Sequence, residues 1–195
     1  GPIIQGSLTG NITLSGRKVR LRPKGLDDAP EDYQWRRDPE LCQLDAAEPI
    51  TMPFEEYLKY CAFTPAFYAN SNYFGIDTIE GKHIGNCSYF NIDEVNCETE
   101  IGIMIGDKEY WNQGYGTDSV LTLLKHLFST TNLNRIYLKT LDWNKRAQQC
   151  FAKCGFRTTS MLKIKNYNFI VMDLLRPAIS QAIHKPGVSN KTSTL

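Results

Sequence analysis

Hydrophobic and polar positions change their spacing several times along the chain, and these changes mark the predicted elements. Residues 18–21 predict a short strand, and 27–37 predict a helix with acidic residues in its first turn. Residues 54–63 predict a second helix, with Phe54, Leu58 and Cys61 on one face. The stretch between these helices is broken by three prolines, Pro39, Pro49 and Pro53. The first third of the chain therefore predicts one strand followed by two helices.

The rest of the chain is richer in strand patterns. Residues 73–79 and 82–92 predict a hairpin through Glu80-Gly81. Further strands are predicted at 99–105, 135–141, 156–161 and 169–174, and a helix at 145–153. Another helix follows residue 116, with a predicted buried face of Val120, Leu121, Leu124, Leu127 and Phe128. The order β-α-α-β-β-β-α-β-α-β-β predicts an α+β (mixed α/β) fold with helices on the faces of one mixed sheet.

Length and composition predict one soluble domain. A chain of 195 residues with 42% hydrophobic and 22% charged residues can bury one core. No apolar run approaches the roughly 20 residues that span a bilayer, and no secretory segment opens the chain, so we expect a cytoplasmic protein without a membrane partner. We divide the chain into an N-terminal extension at 1–16, whose Gly1-Pro2 start is typical of a cleaved tag, a domain at 17–176 and a polar tail at 177–195.

Cysteine and charge patterns further limit the kinds of binding site and partner that the sequence allows. The six cysteines show no disulfide-framework spacing and no C-x-x-C pair, which predicts reduced thiols and no metal site. Residues 27–59 carry ten acidic and three basic residues, whereas 135–165 carry eight basic and one acidic. This segregation suggests one cationic and one anionic partner, although two solvated faces would look the same. No basic tract with interleaved aromatic residues indicates nucleic-acid binding. A monomer and a homodimer both remain open.

Two glycines, Gly114 and Gly116, stand where the next helix begins. A helix start offers unpaired N–H groups and a partial positive charge, and glycine lets an anion approach closely. A dinucleotide-binding loop requires a third glycine, but Ser119 occupies that position, and eight residues separate the pair from the preceding strand. A Walker loop is excluded because no Gly-Lys-Ser/Thr is present. The pair therefore predicts an anion site of another type.

Two stretches together resemble the GNAT superfamily of acyl-CoA N-acyltransferases. The sequence WNQGYGT at 111–117 looks like the pyrophosphate loop Q/R-x-x-G-x-G/A of that family, and NKRAQQCFAKCGF at 144–156 looks like its next helix, N-x-x-A/S-x-x-x-Y/F-x-x-x-G-F. The resemblance covers about residues 17–176. It is strongest to the branch with ribosomal-protein N-terminal, spermidine and some aminoglycoside acetyltransferases.

The resemblance implies a mostly antiparallel sheet that splays between the strands at 99–105 and 136–141, with acetyl-CoA as cosubstrate. It implies that loop N–H groups hold the pyrophosphate, while main-chain groups around Ile103 and Ile105 bind the pantetheine like an added strand. It also places Asn144 on the pantetheine arm and Phe151 beside the thioester. The implied cofactor-binding residues are Ile103, Met104, Ile105, Asn112, Gln113, Gly114, Tyr115, Gly116, Thr117, Asn144, Arg146 and Phe151.

The sequence departs from the family pattern at three positions. Trp111 replaces the Q/R side chain, and Phe151 and Ala147 replace the two residues that usually protonate the thiolate. A thiolate is a fair leaving group that water can protonate, because a thiol has a pKa near 8.5. Cys150, Ser119 or a tyrosine from elsewhere could also act, and the sequence does not choose among them.

Glu100 is the predicted catalytic residue. In relatives a glutamate at this strand position takes a proton from the amine, and strand alternation puts Glu98 and Glu100 on one face. The alternative is an ordinary solvated strand face.

We therefore predict acetyl transfer to a primary amine. At pH 7.4 about a third of an α-amine is neutral but only about one part in a thousand of a lysine amine, which favours a protein or peptide N-terminus. The acidic stretch 27–56 would suit a cationic acceptor. A small-molecule amine, such as a polyamine or an aminoglycoside, and a non-catalytic acyl-CoA-binding domain are the alternatives. Seven aromatic residues are predicted mainly for the core, with one or two lining a substrate slot: Tyr33, Trp35, Tyr57, Tyr60, Phe67, Tyr68 and Tyr73.

Overall fold

One sheet runs through the part of the chain that the structure, a computed structural model, describes, namely residues 12–64 and 72–176. Its strands are β1 Leu14–Ser15, β2 Val19–Pro23, β3 Tyr73–Thr78, β4 His83–Asp93, β5 Glu98–Ile105, β6 Arg135–Leu141, β7 Arg157–Ile164 and β8 Tyr167–Leu175. They lie in the order β1-β2-β3-β4-β5-β6-β8-β7. Neighbours are antiparallel except β5 and β6, which are parallel.

Five α-helices accompany the sheet in these residues: α1 Ala29–Arg37, α2 Pro39–Leu44, α3 Phe54–Phe63, α4 Tyr115–Thr130 and α5 Lys145–Lys153. Short 3-10 turns lie at Leu26–Asp28 and Lys108–Tyr110. The predicted mixed α/β class with a mostly antiparallel sheet is confirmed. Some predictions fall outside the described residues. These concern the N-terminal extension up to residue 11, the aromatic residues Phe67 and Tyr68, and the polar tail from residue 177.

The stretch around Pro39 corrects one prediction, since it is helical. The side chain of Asp38 accepts hydrogen bonds from the N–H groups of Glu40 (2.9 Å) and Leu41 (3.1 Å), and Pro39 takes the first helical position. Proline is tolerated there because its missing N–H would have no partner in a helix anyway. Pro39 is predicted from the sequence to break the helical region, but in the structure it begins α2.

The main core lies between the sheet and α4. Val120, Leu124 and Leu127 are buried as predicted, but Leu121 is 45% exposed and Leu123 is 1% exposed. Positions 120, 123, 124 and 127 share one helical face, and position 121 lies off it. A smaller cluster joins α1 to α3 through Ala29, Tyr33, Tyr57 and Cys61.

The parallel pair β5–β6 is short, and part of the β5 edge is therefore left without a neighbouring strand. Pairing covers only Glu98–Glu100 against Arg135–Tyr137, after which β5 stays with β4 and β6 stays with β8. The edge of β5 from residue 101 to 105 that faces β6 therefore has no strand partner among the described residues. This is the predicted splay.

Trp35 joins α1 to the end of β5 through a close contact at Gly106. A Cβ built on Gly106 would lie 2.1 Å from Cδ2 of Trp35, so only glycine lets the indole lie against this backbone. Trp35 also packs on the ring of His83, with 4.9 Å between ring centroids. The contact sets the distance between α1 and the splayed strand.

Gly106→Ala should therefore destabilise the fold by about 1–3 kcal/mol, because the indole must move or the backbone must shift. The measurement is the urea midpoint at constant m-value. Gly25→Ala is the matched control, since no atom lies within 4 Å of a Cβ built there. Equal midpoints for the two variants would show that Trp35 repacks freely.

Candidate functional site

The loop before α4 has the backbone that the glycine pattern predicts. Gly114 adopts a φ of 87°, and Asn112 also has a positive φ of 59°. Gly116 is not in this region; a Cβ there would meet Cys150 Sγ at 3.6 Å and Ile105 at 3.9 Å. Gly114 is thus required by the turn, whereas Gly116 keeps space open beside the helix start.

A lysine that the sequence reading missed lies against this loop. Lys18 donates through Nζ to the carbonyl of Gln113 (2.6 Å) and lies 4.7 Å from the ring centroid of Tyr115. Asp118, in the first turn of α4, holds the β1–β2 turn by accepting from the N–H groups of residues 17, 18 and 19 at 2.8–3.2 Å. About 100 residues separate these partners, so no local pattern could reveal the contact.

Trp111 ties the loop to the end of β5. Its indole N–H donates to the carbonyl of Ile105 (2.8 Å), and the Arg146 guanidinium lies 3.5 Å from a Trp111 ring centroid. The carbonyl of Ile105, predicted as a pantetheine contact, thus already has one partner. Arg146 has no ion pair among the described residues, and burial lowers its pKa, so an anionic ligand would stabilise its charge.

A first cavity of about 290 Å³ opens between the loop, β5, α5 and α2. Ten of the twelve predicted cofactor-binding residues line it: Ile103, Met104, Ile105, Asn112, Gly114, Gly116, Thr117, Asn144, Arg146 and Phe151. Gln113 and Tyr115 do not. The side chain of Gln113 donates to the carbonyl of Glu109, and the ring of Tyr115 packs on Tyr110 (5.1 Å). These two side chains are thus engaged with neighbouring residues of the loop.

The α5 wall of this cavity has no carboxylate or hydroxyl at the positions where the family carries its acids. Asn144 caps α5 by accepting from the N–H of Ala147 (3.2 Å), and Ala147 and Phe151 present only carbon to the cavity. Cys150 lies 3.4 Å from the Thr117 hydroxyl. The neighbouring Cys154 thiol and the Thr117 hydroxyl, as donors toward Cys150, lower the pKa of the Cys150 thiol.

A second cavity of about 400 Å³ lies on the α1–α2 side of the sheet. Lys24 and Asp32 form a buried ion pair in its wall (2.5 Å), and Asn86 donates to Asp32 (2.8 Å). Three of the seven predicted aromatic residues line it, Trp35, Tyr57 and Tyr73, together with Phe90. The mixture of aromatic rings and paired polar groups is typical of a site for an organic ligand.

The two cavities share a wall. Leu41, Asp45, Ile103 and Met104 line both, so the cavities meet at the splayed part of β5 and the C-terminal end of α2. A group bound in one cavity would thus lie next to a group bound in the other.

Glu100 is buried and already paired. One of its oxygens accepts from Asn91 (3.1 Å) and lies 3.5 Å from Lys139 Nζ, and the side chain lines neither cavity. The predicted solvated face is therefore excluded at Glu100. Its role as the base stays a prediction.

The two charged segments do not form two uniform surfaces. In the basic segment Arg135 pairs with Glu98 and Asp173 at the far end of β6, and only Arg146 and Lys153 line the first cavity. In the acidic segment four of the ten carboxylates are paired with cations: Asp28 with Arg22, Asp32 with Lys24, and Asp38 and Glu40 with Lys108. Charge counts along the chain thus overstate the field at the site.

The described residues contain no helix long and apolar enough to cross a membrane and no group of three or more His, Cys, Asp or Glu side chains placed to hold a metal. All six cysteines are free thiols.

Comparisons with known proteins agree on one family. The model of the family described as "Acetyltransferase (GNAT) domain" matches residues 18–157. The chain is 27% identical over 161 residues to the human alpha/beta-tubulin-N-acetyltransferase 9, covering 76% of this chain and 77% of that protein.

Two solved structures share the fold. RimJ of Mycobacterium smegmatis in complex with CoA-disulfide has a TM-score of 0.71 at 18% identity, covering 94% of each chain. Spermidine N-acetyltransferase of Vibrio cholerae in complex with CoA and spermine has a TM-score of 0.69 at 19% identity, covering 82% of this chain and 96% of that one.

The thiol of Cys150 provides a direct test of the site. Since its pKa is lowered, we expect the half-maximal rate of alkylation by iodoacetamide at a pH below the ordinary thiol value of about 8.5, because the reactive thiolate forms at lower pH. Peptide mapping by mass spectrometry measures the labelled fraction, and Cys150→Ser identifies the peptide. A midpoint near the ordinary thiol value of about 8.5 would contradict the hydrogen bonding described here.

Proposed function

The chain belongs to the GNAT acetyltransferase family, and we propose that it transfers the acetyl group of acetyl-CoA to the α-amine of a protein or peptide N-terminus. It is an N-acetyltransferase by family. The acceptor and the assignment of residues to the cosubstrate are our inferences. The observation that carries the proposal is the pair of cavities that meet along Ile103 and Met104.

The first cavity suits the cosubstrate. The start of α4 and the loop around Gly114 offer N–H groups and a helix dipole to a pyrophosphate, with Arg146 and Lys153 as nearby cations. The unpaired edge of β5 can hydrogen-bond the pantetheine amides as an added strand. The thioester would then reach the shared wall, where an acceptor amine meets it.

The second cavity suits an N-terminus better than a polycation. Lys24 and Arg36 lie in its wall, and Lys24 already neutralises Asp32. Asp45 and Glu48 are thus the carboxylates left to face a cation there. The Ser88 hydroxyl has no hydrogen-bond partner within the described residues and could serve a peptide group.

The protonation state of the acceptor amine also favours an N-terminus. With Ala147 and Phe151 in place of the family's acids, an amine that is already partly neutral at physiological pH is easier to acetylate than a lysine. The human relative carries a protein substrate in its name, alpha/beta-tubulin-N-acetyltransferase, which supports a protein acceptor here.

A small-molecule amine is the second candidate. Asp45 and Glu48 could hold a small cation in the second cavity, and the fold is shared with a spermidine N-acetyltransferase. A single panel separates the two. Peptides with free and with blocked N-termini, polyamines and aminoglycosides are incubated with acetyl-CoA while thiol release is followed. Turnover confined to free N-termini supports the proposal, and turnover confined to small amines contradicts it.

Acetyl-CoA should raise the melting temperature, because a ligand that binds only the native state stabilises it by about 2.7 kcal/mol at 100 times its Kd. It should also slow alkylation of Cys150, which lines the first cavity. Desulfo-CoA should protect equally, since the thiol plays no part in binding. No melting shift at millimolar acetyl-CoA would remove the cosubstrate assignment.

Gly116→Val should weaken acetyl-CoA binding by about tenfold or more while the fold survives, because the side chain would enter the space beside Cys150 and Ile105. Isothermal titration gives the affinity. Gly116→Ala is the matched control and should bind nearly normally, since its Cβ makes only ordinary contacts at 3.6 and 3.9 Å. If the valine variant binds like wild type, this space is not the phosphate site.

A further inference from the structure

Asp45 is the one titratable side chain, within the described residues, that lines both cavities. It lies directly after α2, where its N–H donates to the carbonyls of Leu41 (3.2 Å) and Cys42 (3.1 Å). The helix end therefore holds its backbone in place, and Asp38 fixes the other end of the same helix. A carboxylate at this point would face both an acceptor amine and a thioester.

The carboxylate of Asp45 is also uncommitted. It accepts no hydrogen bond and makes no ion pair among the described residues, in contrast to Glu100 and Asp32, which are both paired. Its side chain is exposed to the open space of the cavities. A ligand could therefore reach both oxygens without displacing a protein partner.

The surroundings favour proton uptake. Asp45 is exposed to the open space of the cavities, but the protein atoms around that space partly desolvate its carboxylate, which raises the pKa of Asp45, and the positive charge of Arg36 opposes the rise. A carboxylate with a raised pKa is a stronger base. The charged and titratable groups around it are Arg36, Cys42, Glu48, Tyr73, Tyr110 and Arg146.

We propose that Asp45, rather than Glu100, is the base that takes the proton from the acceptor amine. The inference rests on the proposed function. The ammonium form gives one proton to Asp45, and the lone pair of the neutral nitrogen attacks the acetyl carbonyl carbon. The N–C bond forms, the C–S bond breaks, and the electron pair leaves with the CoA thiolate. A second nitrogen proton passes to the thiolate through water, and Asp45 returns its proton to solvent.

Glu100 lies in the paired part of the sheet, and it lines neither cavity. It stands opposite Tyr137 in the last pair between β5 and β6, and its carboxylate is held by Asn91 and Lys139. Phe90 covers Gly102, the next residue on the same face, since its ring carbon lies 3.3 Å from a Cβ built there. The ring thus lies over Gly102, which follows Glu100 on that strand face and precedes Met104 of the shared wall.

Asp45→Asn tests the proposal with a peptide that has a free N-terminus as acceptor. We expect kcat to fall by about 10²–10⁴-fold near neutral pH, with the deficit shrinking as pH rises, because the amine then loses its proton without help. Glu100→Gln should keep the wild-type pH profile, whatever its rate. Asp27→Asn removes the same charge from an exposed position in neither cavity, and it should stay within about twofold of wild type.

The possible outcomes of these measurements distinguish a base at Asp45 from a binding role, from a base at Glu100 and from failure of the proposed function. An acetyl-CoA melting shift that matches wild type shows that Asp45→Asn is folded and binds the cosubstrate. An unchanged kcat with only a raised KM would overturn the proposal in favour of a binding role, and so would a pH-dependent loss in Glu100→Gln but not in Asp45→Asn. A wild-type protein that acetylates no N-terminus would instead remove the proposed function, and the role of Asp45 with it.

Discussion

Pairing between β5 and β6 stops after three residue pairs, and both cavities depend on this. A parallel pair that continued to Ile105 would satisfy the edge of β5 and close the space in which Ile103 and Met104 form a common wall. Because the edge stays open, the strand offers main-chain groups to a ligand on one side and side chains to an acceptor on its face. An unpaired edge inside a sheet is costly to leave buried, so it is suited to a ligand that pairs with it.

The open edge keeps its geometry because its surroundings are rigid. Trp111 holds the end of β5 by a hydrogen bond to Ile105, and Trp35 lies against Gly106 one residue later. On the far side of the loop, Asp118 anchors the turn that brings Lys18 to the start of α4. Large aromatic side chains and charge-assisted hydrogen bonds do here what strand pairing does elsewhere in the sheet.

Electrostatics at the site come from a few unpaired groups and not from the overall charge of a segment. Arg22 pairs with Asp28 and Asp77 (2.7 and 2.9 Å), and Lys24 pairs with Asp32 in the wall of the second cavity, so these charges are already partnered within the protein. Opposite charges must pair when buried because an isolated charge loses its hydration. Among the described residues that line the cavities, the charged groups without an ion pair are Arg146 and Lys153 by the first cavity, Glu48 by the second and Asp45 at the shared wall. These are the charges that a ligand would meet.

The sequence by itself determined the element types, the glycine loop at the start of α4 and the family, because periodicity, turn chemistry and short motifs are local properties. Ten of the twelve predicted cofactor-binding residues proved to share one cavity, since a motif carries its spacing with it. Two predictions from the sequence were wrong. Pro39 begins a helix instead of breaking one, and Leu121 faces solvent because it lies one position away from the buried face of α4. Only the tertiary structure decided which charges are paired, where Lys18 meets its loop, and that Asp45 stands between two cavities while Glu100 does not. Those outcomes depend on contacts between residues up to about a hundred positions apart, and no local pattern encodes them.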